Sequence, residues 1–165
     1  MAGRPLHGAE VRFIDLPDLD GVRAVRGRGV RNVFPRHTHR DYLLGVVTRG
    51  GRRMVLATAE LMVNAGAMFL LDPGLAHTCA TAVGQPQSYL ALSIPPGVMA
   101  AHAAQIFPDR QGQPRFGALS FRDPLMARRL ARLVALARLP GTTLARQEHC
   151  AELLGEVVLR YASDM

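Results

Sequence analysis

The sequence predicts a mainly β fold closed by helices: a β-sandwich or barrel over residues 1–97, then a helical segment over residues 98–165 packed on it. Two observations carry this. From Val11 to Ile94, short apolar or alternating segments recur about every ten residues, separated by Gly and Pro turns. After Pro95-Pro96-Gly97 the apolar residues shift to three- and four-residue intervals, the period of an amphipathic helix.

Val11–Leu16 alternates and reads as a first strand, ended by the turn Pro17-Asp18-Leu19-Asp20-Gly21. Val22–Arg28 reads as a second, with Gly27 and Gly29 marking a bulge or exposed hairpin. Phe34–His39 carries His37 and His39 two residues apart, so on a strand both rings project to one face and Thr38 to the other. Tyr42–Thr48 is a buried strand by its continuous apolar run, and Arg52–Ala57 is its return across Gly50-Gly51. Glu60–Asn64, Ala67–Leu71, His77–Val83 and Ser88–Ile94 complete the set.

In the second segment, Val98–Phe107 reads as a short helix and Pro108–Leu119 as a loop. Asp123-Pro124 opens a helix, with aspartate at the cap and proline at the first helical position. It runs to about Arg138 and stops at Pro140-Gly141. A second helix follows from Thr142 or Thr143 to Tyr161, giving an antiparallel hairpin. Met126, Leu130, Leu133 and Ala137 share one face of the first helix; Cys150, Leu154, Val157 and Tyr161 share one face of the second. These stripes either cover the β unit or pair with another subunit as a homodimer contact through Met126, Leu130, Leu133, Ala137, Leu154, Val157 and Tyr161.

Composition narrows the function. The chain has 165 residues, about one domain, with no apolar run near the roughly 18 residues of a membrane span and no secretory-type apolar stretch at its start. A cytoplasmic protein with no membrane partner is expected. The net charge is +7, yet all 20 basic residues are arginine and they are scattered, without interleaved aromatics, so the charge alone does not mark a nucleic-acid surface. Cys79 and Cys150 form no C-x-x-C pair and read as buried small hydrophobes, Cys79 with a place in the pocket because it follows His77 by two. No catalytic residue set is found: there is no G-x-S-x-G, phosphate loop or Rossmann fingerprint, and no carboxylate pair in the β unit.

The candidate site is built from His37, His39, Tyr42 and His77, within a pocket lined by Phe13, Val46, Val55, Met68 and Leu70. Three converging imidazoles either hydrogen-bond a polar ligand or hold a divalent metal, zinc or nickel, on His37, His39 and His77. His7, His102 and His149 lie outside the pattern.

The stretch Phe34–His77 resembles the N-terminal domain of AraC-type transcriptional regulators. The shared pattern is His37-x-His39, then Tyr42–Val47, Gly50, Gly66 and Leu71-x-Pro73-Gly74-x-x-His77. With the two late helices, the resemblance covers residues 10–162. It implies a cupin-like double-stranded β-helix (a jelly-roll sandwich) that binds a small-molecule effector, a sugar or another metabolite, followed by a helical dimerisation pair. It also implies DNA contact only through a C-terminal helix-turn-helix domain not present in this sequence, and a switch in the arm before Val11. Metal-binding cupins add a glutamate soon after the H-x-H pair, where this sequence has Tyr42, Leu43 and Leu44. A small three-histidine cupin metalloenzyme is the alternative reading, and a purely structural dimerisation module a third.

Overall fold

The computed structural model describes residues 9–31, 33–82 and 85–165. The expected arm, apart from its last residues, and His7 lie outside these, as do Val83 at the end of the expected eighth strand and Gly84 after it. The described residues form ten strands: β1 (Glu10–Asp15), β2 (Arg23–Val30), β3 (Phe34–His37), β4 (Tyr42–Arg49), β5 (Gly51–Leu56), β6 (Glu60–Asn64), β7 (Met68–Leu71), β8 (His77–Thr81), β9 (Gln87–Ile94) and β10 (Ala118–Phe121). Three helices accompany them: α1 (Pro96–Ile106), α2 (Pro124–Leu136) and α3 (Thr143–Tyr161).

All strand pairs are antiparallel. One sheet has six strands in the order β1-β2-β9-β4-β7-β10, the other four in the order β3-β8-β5-β6. Strand alternation gives the six-stranded sheet two apolar faces. On one, Val25, Val47, Phe69, Leu71, Tyr89 and Ala91 meet Met54, Val63 and Cys79 of the four-stranded sheet. On the other, Ala24, Tyr42, Leu44, Met68, Leu70, Leu92 and Ile94 pack under the three helices. The result is three layers: small sheet, large sheet, helices.

The pocket lining inferred from sequence was one residue out of register on β4, β5 and β7. Val46, Met68 and Leu70 face the helices, and on β5 it is Met54, not Val55, that enters the core between the sheets. A slip of one residue exchanges the two faces of a strand, and a strand that is apolar on both faces gives no alternation to fix it.

The helix stripes are spent within the chain. Met126, Leu130, Leu133, Leu154 and Val157 have no exposed surface, and Ala137 and Tyr161 pack against the same core. The five fully buried residues are thus taken up by the large sheet's outer face and are not presented to a second subunit. The helices run antiparallel as expected: Arg129 pairs with Glu156, and Arg160 reaches back to Asp123 at 2.8 Å. The Asp123 carboxylate also accepts the Met126 N–H at 2.9 Å, capping α2.

Part of the expected loop 108–119 is structured. Its end forms β10, which pairs with β7 from Ala118↔Leu71 to Phe121↔Met68. A four-residue strand carries too little alternation to stand out between Gly117 and Asp123. A division of the chain at residue 97 thus separates strands that share a sheet. The preceding loop is pinned by Asp72, whose carboxylate accepts the N–H groups of Phe116 and Gly117.

Candidate functional site

His37 is the last residue of β3 and His77 the first of β8, and the two are register partners across that ladder. His39 lies just beyond the end of β3 rather than within it. It is brought to the cluster by the Pro73-Gly74 turn: Gly74, at φ +78°, donates its N–H to the His39 carbonyl at 2.8 Å. Glycine supplies that left-handed backbone at little cost. The spacing from Pro73 to His77 thus acquires a mechanical meaning, since one turn fixes His39 by its backbone and delivers His77 to β8.

The three rings converge. Ring centroids are 4.5 Å apart for His37 and His77, 4.8 Å for His37 and His39, and 5.3 Å for His39 and His77. One nitrogen from each can be chosen so that all lie within 4.8 Å of one another. His37 Nδ1 is 2.7 Å from the Pro35 carbonyl and His77 Nδ1 is 3.0 Å from that of Leu75. A carbonyl only accepts, so both Nδ1 atoms carry a proton, which makes Nε2 the lone-pair atom of each ring in its neutral form. His37 Nε2 stands 3.1 Å from His39 Nε2.

Two of the rings, His39 and His77, are held toward the neutral form. Burial depresses His39 to about 4, helped by the nearby charges of His37, His77 and Arg52 and opposed by Asp41. Burial also lowers His77, with His37 and Arg52 acting the same way and the bond to Leu75 opposing. At neutral pH both offer lone pairs rather than charge.

This donor set fits a divalent metal. Three imidazoles, two of them oriented by backbone carbonyls, match the three-ligand sites of zinc, and nickel also accepts imidazole. No carboxylate joins the group among the described residues.

The histidines form one wall of a cavity of about 210 Å³ between the sheets. Phe34, Leu43, Phe69, Leu71 and Ala91 make much of its surface, and the exposed Val11 and Phe13 of β1 edge it. Arg52, Cys79, Tyr89 and Ser93 complete the polar part. Cys79 is buried with its thiol pushed up by desolvation, so it behaves as a packing group. Phe13 is the one lining residue of the expected apolar set that the structure places here.

Tyr42 is not in the cavity. It faces the helices with 1% of its surface exposed, and its hydroxyl donates to the Pro114 carbonyl at 2.7 Å. Burial pushes that phenol up to about 12. Tyr42 was expected in the site beside the histidines, but the strand resumes at Tyr42 with the opposite face inward. His102 lies half-buried on α1 and His149 accepts from Arg132 across the hairpin at 3.1 Å. The pocket residue that the histidine pattern did not reveal is Arg52, which the expected register of β5 turned outward.

The profile of the family described as AraC-like ligand binding domain matches residues 21–154. The chain belongs to that family. An uncharacterized HTH-type transcriptional regulator of Bacillus subtilis (strain 168), YbfI, is 28% identical over 90 residues, or 54% of this chain and 33% of that protein. The chain thus matches about a third of the curated relative's length. Among solved structures, an apo ToxT variant from Vibrio cholerae superposes with a TM-score of 0.55 at 12% identity, covering 90% of this chain and 53% of that one. A Cupin 2 conserved barrel domain protein from Salinispora arenicola gives 0.46 at 16% identity, covering 59% and 92%. Two antiparallel sheets followed by helices make up the fold, and the ToxT match extends over 90% of it. Among the described residues, no helix is long and apolar enough to cross a membrane.

Proposed function

We propose that this AraC-like domain senses a small organic effector in the cavity between its sheets, as part of a cytoplasmic transcription regulator whose DNA contacts reside in a separate helix-turn-helix unit. The carrying observation is the convergence of His37, His39 and His77, with oriented lone pairs, on one wall of an otherwise largely apolar cavity. A few placed polar groups on an apolar surface are what a small-molecule site requires.

The test is a metabolite screen by thermal shift, followed by methyl-resolved NMR of Leu43 and Leu71. Binders should raise the melting temperature, shift those methyls and lose affinity when His37 or His77 becomes alanine. Binding that spares both methyls would remove the cavity as the effector site.

We further infer that the domain pairs as a homodimer through outward residues of α3. Leu144 and Leu159 support this, being 68% and 64% exposed on a helix whose inner face is fully used. Light scattering of a Leu144→Glu, Leu159→Glu double variant checks it: a dimer that survives both charges does not use this face.

The metalloprotein reading has its own support in the three-nitrogen cluster. A bound zinc or nickel would supply a coordination position for an effector oxygen. His37, His39 and His77 would hold it, with Pro35 and Leu75 orienting two of the rings through their carbonyls.

A further inference from the structure

The cavity holds one full charge that the histidines do not explain. Arg52 points inward from β5 and is 7% exposed. Its guanidinium carbon lies 4.0 Å from the Tyr89 ring centroid and 4.8 Å from that of Phe69. Its Nε–H donates to Oε1 of Gln87 at 2.9 Å, a neutral acceptor, and Gln87 Nε2 has no partner.

Buried arginines are ordinarily paired with an acid. Arg52 makes no ion pair among the described residues, and no aspartate or glutamate lines the cavity. The residues outside that set, Met1–Gly8, Asn32, Val83 and Gly84, include no acid that could serve. Asp41, whose charge acts on His39, is outside the cavity lining and accepts from Ser93 Oγ at 2.6 Å. Two aromatic faces and one amide offset only part of the cost of a buried cation. Its fork remains suited to a planar anion.

The other walls limit what that anion is attached to. Phe34, Leu43, Phe69, Leu71 and Ala91 offer no hydrogen bonds through their side chains. A sugar would leave several hydroxyls without partners there, at the cost of their hydration.

We propose that the effector is a small monocarboxylate with an apolar body. Its carboxylate pairs with Arg52, and its aryl or branched alkyl part packs against the phenylalanines and leucines of the two sheets. This rests on the reading of the cavity as the effector site.

The experiment compares matched probes on the chelator-treated chain at pH 8: phenylacetate against phenylacetamide, and 4-methylpentanoate against its amide. Affinities come from calorimetry and location from the methyl shifts of Leu43 and Leu71. The carboxylates should bind at least about tenfold more tightly, the order expected when a buried ion pair is replaced by a neutral contact. Arg52→Met should abolish that preference, and Arg52→Lys should keep part of it. The wild-type comparison decides even where a variant fails to fold. Equal binding of acid and amide, or a preference that persists in folded Arg52→Met, overturns the proposal and leaves the ligand-binding reading standing. If neither pair moves the cavity methyls of folded protein, the monocarboxylate proposal falls, while the cavity reading is judged by the metabolite screen.

Discussion

His37 and His77 face each other across the β3–β8 ladder, their ring centroids 4.5 Å apart and each Nδ1 turned away onto a backbone carbonyl two residues earlier. The two Nε2 atoms are thereby aimed by the backbone itself. Zinc or nickel added to chelator-treated protein should bind at about one ion per chain, as three-histidine sites do. His77→Ala should reduce that by at least tenfold, in line with losing one of three ligands. Elemental analysis after dialysis reads the result; stoichiometric metal in folded His77→Ala would show that the ion sits elsewhere.

Tyr42 separates pocket from scaffold. Tyr42→Phe removes the hydroxyl that donates to Pro114 and leaves that carbonyl unpaired, costing about 1–3 kcal/mol of stability. Because the ring lies on the helix side of the sheet, effector affinity should be unchanged. Urea unfolding beside a ligand titration tests both halves, and a large affinity loss at unchanged stability would return Tyr42 to the site.

Gly45 lets Phe69 lie against β4. A Cβ built there would stand 2.2 Å from the Phe69 ring and 2.9 Å from the Leu90 carbonyl oxygen. Gly45→Ala should therefore cost about 1–3 kcal/mol, the range for overpacking. It should also displace Phe69, which lines the cavity and backs Arg52. Denaturation with a ligand titration would detect both effects; unchanged stability would mean that the sheet absorbs the methyl.

Asp18 ties the turn after β1 to α3. Arg146 donates to Asp18 Oδ2 from Nε at 2.8 Å and from Nη2 at 2.6 Å, and this holds the carboxyl below its ordinary 3.8. The unfolded chain then takes up the proton first as pH falls, so the stabilisation is complete above that ordinary value and disappears as pH drops through the lower folded one. Asp18→Asn should melt earlier than wild type at pH 7, and the gap should close in strong acid. A gap independent of pH would assign the effect to packing instead.

Much of this molecule was legible beforehand. Nine of the ten strands and all three helices follow from turn residues and apolar period, with ends shifted by a residue or two. The histidine trio was readable because its members are polar residues at an apolar address. What was not legible is which way β4, β5 and β7 face. Leu43 and Leu44 are equally apolar, and only the sheet order, with helices on one side and a second sheet on the other, decides between them. The same ambiguity misplaced Tyr42. The helix stripes could not reveal their partner either, since Leu130 or Val157 looks the same against a sheet as against another subunit.

The large sheet is a wall only one strand thick between the cavity and the helices. Leu43 touches one side and Leu44 the other, as do Phe69 and Met68. Close-packed interiors deform little. A ligand that shifts Leu43 or Phe69 therefore presses on the floor beneath α2 without needing a relay along the chain. On the proposed reading, sensor and reporter would be two surfaces of one plate, and the stiffness of β4 and β9 would set how much of a ligand's push reaches the far side.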